Sequence, residues 1–130
     1  MPSSSAVITA SRFIPAMAVM AVIFLVSSQP GDQLYLPKYL TYDKAWHMLE
    51  YGILAAASLF ALQPFASQSH RAAIALGVVC FAGLYGLSDE FHQSFVPLRT
   101  ACLADVIADT LGATIVTGAW WWRTGGKSFG

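Results

Sequence analysis

Four long apolar runs, separated by short polar segments, constrain this chain more than any other feature of its sequence. They extend over residues 12–28, 44–63, 71–91 and 103–122. A helix needs about 20 mostly apolar residues to cross the hydrocarbon core of a bilayer. The runs lack the period-2 alternation of strands, and inside lipid only helices and closed barrels satisfy every backbone group. The sequence therefore predicts an all-α, polytopic membrane protein with a four-helix transmembrane bundle.

Composition agrees with solvation by lipid. Hydrophobic residues make up 56% of the 130 residues and charged residues only 11%, against about 25% charged in soluble domains. A chain of this length forms one domain, so we predict an N-terminal tail at 1–11, a transmembrane domain at 12–123 and a C-terminal tail at 124–130. The net charge of zero gives no electrostatic basis for binding nucleic acid.

The first apolar run follows Arg12 in the manner of a secretory signal. An Ala-x-Ala cleavage site is missing from its end, where the sequence is Ser27-Ser28-Gln29-Pro30-Gly31. We therefore interpret the run as a retained span that also acts as a signal anchor. Cys80 and Cys102 form no CxxC pair, and we interpret both as packing residues that do not form a disulfide.

The distribution of positive charges predicts the orientation of the spans. One side carries four cations, at Arg12, Arg71, Arg123 and Lys127. The other side carries three, at Lys38, Lys44 and Arg99. This predicts that both termini are cytoplasmic. Three tryptophans before Arg123 are then a cytoplasmic interface anchor (Trp120, Trp121 and Trp122), and three aromatic residues mark the opposite interface (Tyr39, Tyr42 and Trp46).

The ionisable residues are predicted to gather at one membrane face. In a four-span chain the start of the second span, the end of the third and the start of the fourth lie on the same side, whichever side that is. Six of the seven carboxylates fall there: Asp43, Glu50, Asp89, Glu90, Asp105 and Asp109. The segment after the first span opens on that side too, and it brings Ser27, Ser28 and Gln29.

Within each span the polar residues follow one helical stripe. The stripes are Asp43, His47, Glu50 and Tyr51; Tyr85, Ser88, Asp89 and His92; and Asp105, Asp109 and Gly112. An ionised side chain at mid-bilayer costs about 2.5–3.5 kcal/mol on insertion scales, so intramembrane charges face the bundle interior and mark functional sites. We expect them to pair with one another or with Lys44 and Arg99. Two small-xxx-small pairs, Ala82/Gly86 and Ala108/Gly112, favour close helix approach.

These motifs resemble the VanZ-like membrane family. Its first half is matched by Phe24-x-x-Ser27-Ser28-Gln29 and Asp43-Lys44-x-x-His47-x-x-Glu50-Tyr51. Its second half is matched by Ser88-Asp89-Glu90-x-His92-Gln93-x-Phe95-Val96-Pro97-x-Arg99 and Asp105-x-x-x-Asp109-x-x-Gly112. The resemblance covers about residues 24–113. It implies a compact bacterial inner-membrane protein from a family named after a protein linked to low-level resistance to the glycopeptide teicoplanin. It leaves the biochemical activity open.

The residues allow four interpretations of the polar cluster. As a metal site, it offers imidazole and carboxylate ligands, and two pairs of them are spaced i, i+3 on one helix, His47 with Glu50 and Asp89 with His92. The full set of possible ligands is His47, Glu50, Asp89, His92, Asp105 and Asp109. As a metal-free acid–base site, it offers catalytic candidates in His47, Asp89 and His92, while Lys44 and Arg99 hold an anionic head group. Ser88 is a nucleophile candidate without an activating motif. The third interpretation is binding without chemistry, and the fourth is a purely structural network.

We predict a site built from His47, Glu50, Asp89, Glu90, His92, Arg99, Asp105 and Asp109. Its ligand-binding candidates are Lys44, Glu50, Glu90, Arg99, Asp105 and Asp109. The expected partner is a membrane lipid or lipid-linked cell-wall precursor, bound or processed on the extracytoplasmic side, with altered glycopeptide susceptibility as a consequence. Whether the protein is an enzyme, whether it holds a divalent metal and whether it forms a homo-oligomer are left open at this stage.

Overall fold

The computed structural model describes residues 4–32 and 43–125, with side chains from residue 7 and from residue 44 onward in these two segments. Within these residues the regular secondary structure is entirely helical. The helices are α1 (Ser4–Ser11), α2 (Ile14–Ser27), α3 (Asp43–Leu62), α4 (Arg71–Gln93) and α5 (Leu103–Gly125), and a 3-10 turn at Gln63–Phe65 follows α3. Some residues used above lie outside the described part, namely Lys38, Tyr39, Tyr42, Lys127 and the side chain of Asp43.

The predicted four-helix membrane bundle is confirmed. Among the described residues, three helical segments are long and apolar enough to cross a membrane: Val7–Ser27, Lys44–Phe65 and Arg71–Gln93. The fourth member of the bundle, α5, is as long as α4 at 23 residues. It carries two buried aspartates, Asp105 and Asp109, and it packs against both α3 and α4. Its polarity is therefore accommodated by neighbouring helices.

The first span is interrupted near its N-terminal end. Helix α1 ends at Ser11, and α2 begins at Ile14 with Pro15 in its first turn. Proline has no amide hydrogen and its ring clashes with the carbonyl four residues earlier, so it starts a helix well and breaks one from within. The residues preceding Arg12 thus form a short helix ahead of the main span.

Small residues let the bundle pack closely around one aromatic side chain. Tyr51 is fully buried, and the buried core around it consists of Ile23, Leu54, Ala55, Leu59, Val78, Ala82 and Ala113. Helices α3 and α5 cross at Gly112, where an added Cβ would collide with the backbone carbonyl of Met48. Association of helices in lipid depends on this kind of close backbone packing, because lipid tails are as apolar as the side chains.

Two arginines tie the helices together at one end of the bundle, which we call the arginine end (Arg12 and Arg71). Arg12 donates to the carbonyl of Phe60 at 2.8 Å and to Gln63 Oε1 at 3.0 Å, at the C-terminus of α3. Arg71 donates to the carbonyl of Thr124 at 2.8 Å, at the C-terminus of α5. The last carbonyls of a helix carry partial negative charge and lack intrahelical donors, so a guanidinium stabilises them.

We expect Arg71→Ala to lower the free energy of unfolding by about 2 kcal/mol, since it removes a charge-assisted hydrogen bond and a cation–π contact. The Arg71 guanidinium carbon lies 4.5 Å from the centroid of the Trp121 ring. Arg123→Ala is the matched control, because Arg123 is exposed in the same region. SDS-unfolding titration of the purified variants measures both, and equal losses would contradict the capping role of Arg71.

Candidate functional site

Buried polar side chains collect at the end of the bundle opposite the arginine end. Here the C-termini of α2 and α4 meet the N-termini of α3 and α5. Six polar residues at this end are at most 6% exposed: Ser27, Asp89, Glu90, Gln93, Asp105 and Asp109. Together with His47, Glu50 and His92 they form what we call the polar end. Connectivity alone predicts this convergence, and the packing of the helices turns it into direct side-chain contacts.

A histidine on α3 is held between two aspartates of α5. His47 Nδ1 lies 2.8 Å from Asp109 Oδ1, and His47 Nε2 lies 3.9 Å from Asp105 Oδ2. Asp109 is 1% exposed and Asp105 is 5% exposed. The second oxygen of Asp105, Oδ1, accepts a hydrogen bond from Lys44 Nζ. The spacing of four residues between the aspartates places both carboxylates on the α5 face that meets His47.

Glu90 brings a third carboxylate from α4 to the same place. Its Oε2 accepts a hydrogen bond from the Cys102 backbone N–H at 2.7 Å, just before α5 begins. Its Oε1 is buried without a hydrogen-bond partner. One ligand atom each of His47, Glu90 and Asp105 lie within 4.8 Å of one another. We call these three residues and Asp109 the histidine centre.

A second polar group lies between α2 and α4. Asp89 Oδ2 accepts hydrogen bonds from Ser27 Oγ at 2.7 Å and from Gln93 Nε2 at 3.0 Å. His92 Nε2 lies 3.0 Å from Ser28 Oγ. We call Ser27, Ser28, Asp89, His92 and Gln93 the serine–aspartate group. Its hydrogen bonds are mutually satisfied, which is the arrangement expected of a group that fixes helix packing.

Glu50 and Tyr51 lie between the two groups. Glu50 interacts electrostatically with His47, Asp89 and Asp109. Tyr51 is fully buried and lies near the carboxylates of Asp109 and Asp89, and its hydroxyl has no hydrogen-bond partner among the described residues. Both side chains extend the polar end one turn further into the bundle. They thus occupy the space between the histidine centre and the serine–aspartate group.

Arg99 binds backbone carbonyls at the C-terminal end of α2. Its Nε donates to the Gln29 carbonyl at 3.1 Å and its Nη2 donates to the Val26 carbonyl at 3.0 Å. The loop that carries it is also tied to the end of α2 by the Gly31 N–H, which donates to the Pro97 carbonyl at 3.2 Å. Among the described residues, the expected pairing of Arg99 with the carboxylates is limited to an electrostatic interaction with Glu50. The guanidinium caps a helix C-terminus, as Arg12 and Arg71 do at the other end.

The structure regroups the predicted site residues. His47 was expected to share a centre with Glu50. Among the described residues it contacts the carboxylates of Asp105 and Asp109, and its interaction with Glu50 is electrostatic. Asp89 and His92 were the other expected metal pair, and they are hydrogen-bonded to Ser27 and Ser28. In both cases the side chains make their contacts with residues of a neighbouring helix and not with the expected partner on their own helix.

Gln93 belongs to the family motif but was not among the predicted site residues. It lies one helical turn after Asp89, a spacing that allows the hydrogen bond observed. The two thiols are free, as expected, at Cys80 and Cys102.

An open groove runs between α4 and α5, and one residue of the histidine centre, Glu90, lies in its wall. It has a volume of about 660 Å³. We call it the α4–α5 groove. Its apolar lining residues are Leu84, Leu87, Phe91, Ala101, Leu103 and Val106, and its polar ones, besides Glu90, are Ser88, Ser94 and Cys102. The groove therefore joins a lipid-facing apolar surface to a buried carboxylate.

Comparison with known proteins identifies the family. No curated protein and no solved structure matches the chain. The family model described as VanZ/LLP1 matches residues 13–124, a stretch that begins just before α2 and ends in the last turn of α5. It thus includes the four bundle helices and every residue of the polar end. The resemblance found in the sequence is confirmed, and the chain belongs to the VanZ/LLP1 family of membrane proteins.

Proposed function

We propose that the polar end binds the head group of a cell-envelope lipid or of a lipid-linked cell-wall precursor. The α4–α5 groove carries this proposal, because it offers an apolar wall and a buried acid in one continuous space. Leu84 and Val106 line its apolar part, and Glu90 lies in its wall at the polar end. A chain from the bilayer can occupy the apolar part while its head group reaches the histidine centre.

The size and chemistry of the groove suit a lipid. Small-molecule sites have volumes of about 300–1,000 Å³, mostly apolar walls and a few convergent polar groups. The groove, at about 660 Å³, falls in this range. Two lining residues, Leu84 and Leu103, are 67% and 70% exposed on the outside of the bundle. A lipid can therefore enter sideways from the membrane without passing through water.

The one-sided placement of charge supports a head-group site over a path through the membrane. Within the described residues, the buried carboxylates belong to the polar end, whereas Arg12 and Arg71 hold the arginine end. A proton or ion path needs ionisable groups spread along the span. The same charge distribution supports an orientation with cytoplasmic termini and the polar end on the extracytoplasmic side of the bacterial inner membrane.

Processing of the bound head group is the second candidate function. The hydrogen bond from His47 Nδ1 to Asp109 Oδ1 fixes the imidazole in the way that a general base requires. Binding or processing of a cell-wall precursor would change the amount of target that a glycopeptide such as teicoplanin meets. A change in teicoplanin susceptibility would thus be a consequence of the site. The contrasting hypothesis is a non-catalytic scaffold whose polar end only fixes the packing.

Binding to a labelled lipid-linked precursor in nanodiscs tests the proposal. We expect Leu84→Trp, which fills the groove, to weaken binding about tenfold, or about 1.4 kcal/mol. Leu76→Trp is the matched control, because Leu76 lies on the same helix, is also 67% exposed and does not line the groove.

The outcome of the same incubation separates the candidates. Product formation that depends on His47 supports processing, and binding without product supports a binding protein. If wild-type protein binds no precursor, or if both tryptophan variants bind equally well, the groove is not the lipid site and the scaffold hypothesis stands.

A further inference from the structure

We propose that the histidine centre binds one divalent transition-metal ion, with His47, Glu90 and Asp105 as ligands and Asp109 as the residue that orients the histidine. The three ligands come from three different helices, α3, α4 and α5. They meet at the polar end of the α4–α5 groove, whose wall includes Glu90. The ion would therefore lie where the head group of a lipid in the groove arrives.

The distances between the ligand atoms fit an ion with little movement. One ligand atom of each residue lies within 4.8 Å of the others, and His47 Nε2 lies 3.9 Å from Asp105 Oδ2. A tetrahedral ion with bonds of about 2.0–2.2 Å needs ligand atoms about 3.4 Å apart. Each atom then moves by less than about 1 Å when the ion binds, which rotation of the side chains can provide.

Glu90 supplies an observation that is independent of the clustering. Glu90 is 4% exposed, and its Oε2 accepts a hydrogen bond from the Cys102 N–H, whereas its Oε1 has no hydrogen-bond partner in the part of the chain that the structure describes. A buried acceptor without a partner is costly, and a carboxylate oxygen more so than a neutral one. A coordinated cation would satisfy this oxygen.

Asp109 contacts the ring nitrogen of His47 that does not face the proposed ion. Metal-binding histidines donate their second ring N–H to a carboxylate or carbonyl, which fixes the tautomer and the ring orientation. His47 Nδ1 has this partner in Asp109 Oδ1 at 2.8 Å, and Asp109 is 1% exposed. The hydrogen bond directs Nε2 toward Asp105 and Glu90.

Charge balance favours a divalent cation. Glu90, Asp105 and Asp109 are all at most 5% exposed, and among the described residues Lys44 donates to Asp105 Oδ1. The Lys44 side chain is 47% exposed, so it lies at the rim and leaves Asp105 Oδ2 facing His47. Buried carboxylates in excess of nearby cations are stable when they coordinate a metal.

The ligand types indicate which ions fit. One imidazole and two carboxylates suit Zn²⁺ or Mn²⁺, and three protein ligands leave a coordination position open, as in sites that bind a substrate. A phosphate oxygen of a head group would fill that position. This role rests on the proposed function above, whereas binding of the ion itself does not.

Metal analysis of the full-length protein tests the site. Purified protein is stripped with chelator, dialysed against Zn²⁺ or Mn²⁺ and analysed for bound ion by mass spectrometry and calorimetry. We expect one ion per chain, at least tenfold weaker binding in His47→Ala and Glu90→Gln, and a 10–100-fold loss in Asp109→Asn. Glu90→Gln keeps an acceptor for the Cys102 N–H, so it separates loss of a ligand from loss of the fold.

A histidine outside the polar end provides the matched control. His70 is exposed in the turn before α4. We expect His70→Ala to bind the ion as the wild type does. Absence of bound ion, or equal binding by wild type, His47→Ala and Glu90→Gln, would overturn the proposal.

The lipid site and the metal site can be contradicted independently of each other. Precursor binding by a protein that takes up no ion after dialysis against Zn²⁺ or Mn²⁺ overturns the metal site and leaves the lipid site standing. An ion bound through His47 and Glu90, in a protein that binds no precursor, supports the metal site and removes its role as a head-group receptor.

Discussion

Gly112→Ala is expected to destabilise the bundle by about 3 kcal/mol, at the upper end of the usual cost of overpacking. Helices α3 and α5 make their closest approach at this residue, and the new methyl group would meet the carbonyl of Met48. A flexible side chain could move aside, but here the obstacle is backbone. The two helices must therefore separate, which also draws Asp109 away from His47.

Gly118→Ala is the control for this prediction. Gly118 lies on the same helix, is exposed, and has no atom within 4 Å of an added Cβ. Alanine has the higher helix propensity by about 1 kcal/mol, so we expect this variant to be as stable as the wild type or more so. Thermal unfolding in nanodiscs compares the two variants. Equal unfolding temperatures would show that α3 and α5 are not packed backbone to backbone at Gly112.

The convergence of the ionisable residues could be predicted from the sequence because it depends only on connectivity. Once four spans are assigned, Glu50, Asp89 and Asp109 must lie near the same face of the membrane, however the helices pack. The structure adds that these groups also face one another across helix interfaces. The polar residues of each helix lie on one stripe, and this stripe is expected to face the bundle interior because exposing ionised groups to lipid is costly.

The partners within that face could not be predicted, because they depend on how the helices rotate against each other. Spacing along one helix suggested His47 with Glu50, since residues at i, i+3 are neighbours. The approach of α5 at Gly112 instead brings Asp105 and Asp109 to His47. That approach depends on how three helices pack against one another, and the polar stripe of a single helix does not predict it.

Arg99 illustrates a second limit of reasoning from charge alone. Its sequence position among acidic residues suggested an ion pair, but its guanidinium lies on the carbonyls of Val26 and Gln29. The C-terminus of a helix is itself a site of partial negative charge. Backbone acceptors are invisible in a sequence, so an arginine that caps a neighbouring helix cannot be distinguished there from one that pairs with a carboxylate.

A double-mutant cycle between Gly86 and Asp109 tests the packing around the histidine centre. A Cβ at Gly86 would lie 2.5 Å from Asp109 Oδ2 and 3.2 Å from its Cβ. Gly86→Ala alone should therefore push the carboxylate off His47, at a cost of about 2 kcal/mol. Asp109→Ala alone removes one partner of a buried pair and leaves a cavity, at a cost of about 3–5 kcal/mol.

The double variant is expected to be more stable than the sum of the single losses, by about 2 kcal/mol, because the new methyl group then fills space that the carboxylate has left. In the Asp109→Ala background, Gly86→Ala should therefore be close to neutral, whereas it is destabilising in the wild type. Gly77→Ala on the same helix is the control, since nothing lies within 4 Å of its added Cβ. SDS-unfolding titrations of the four proteins measure the coupling. Additive losses would mean that Gly86 does not make room for Asp109, and the orientation of His47 by that carboxylate would lose its structural support.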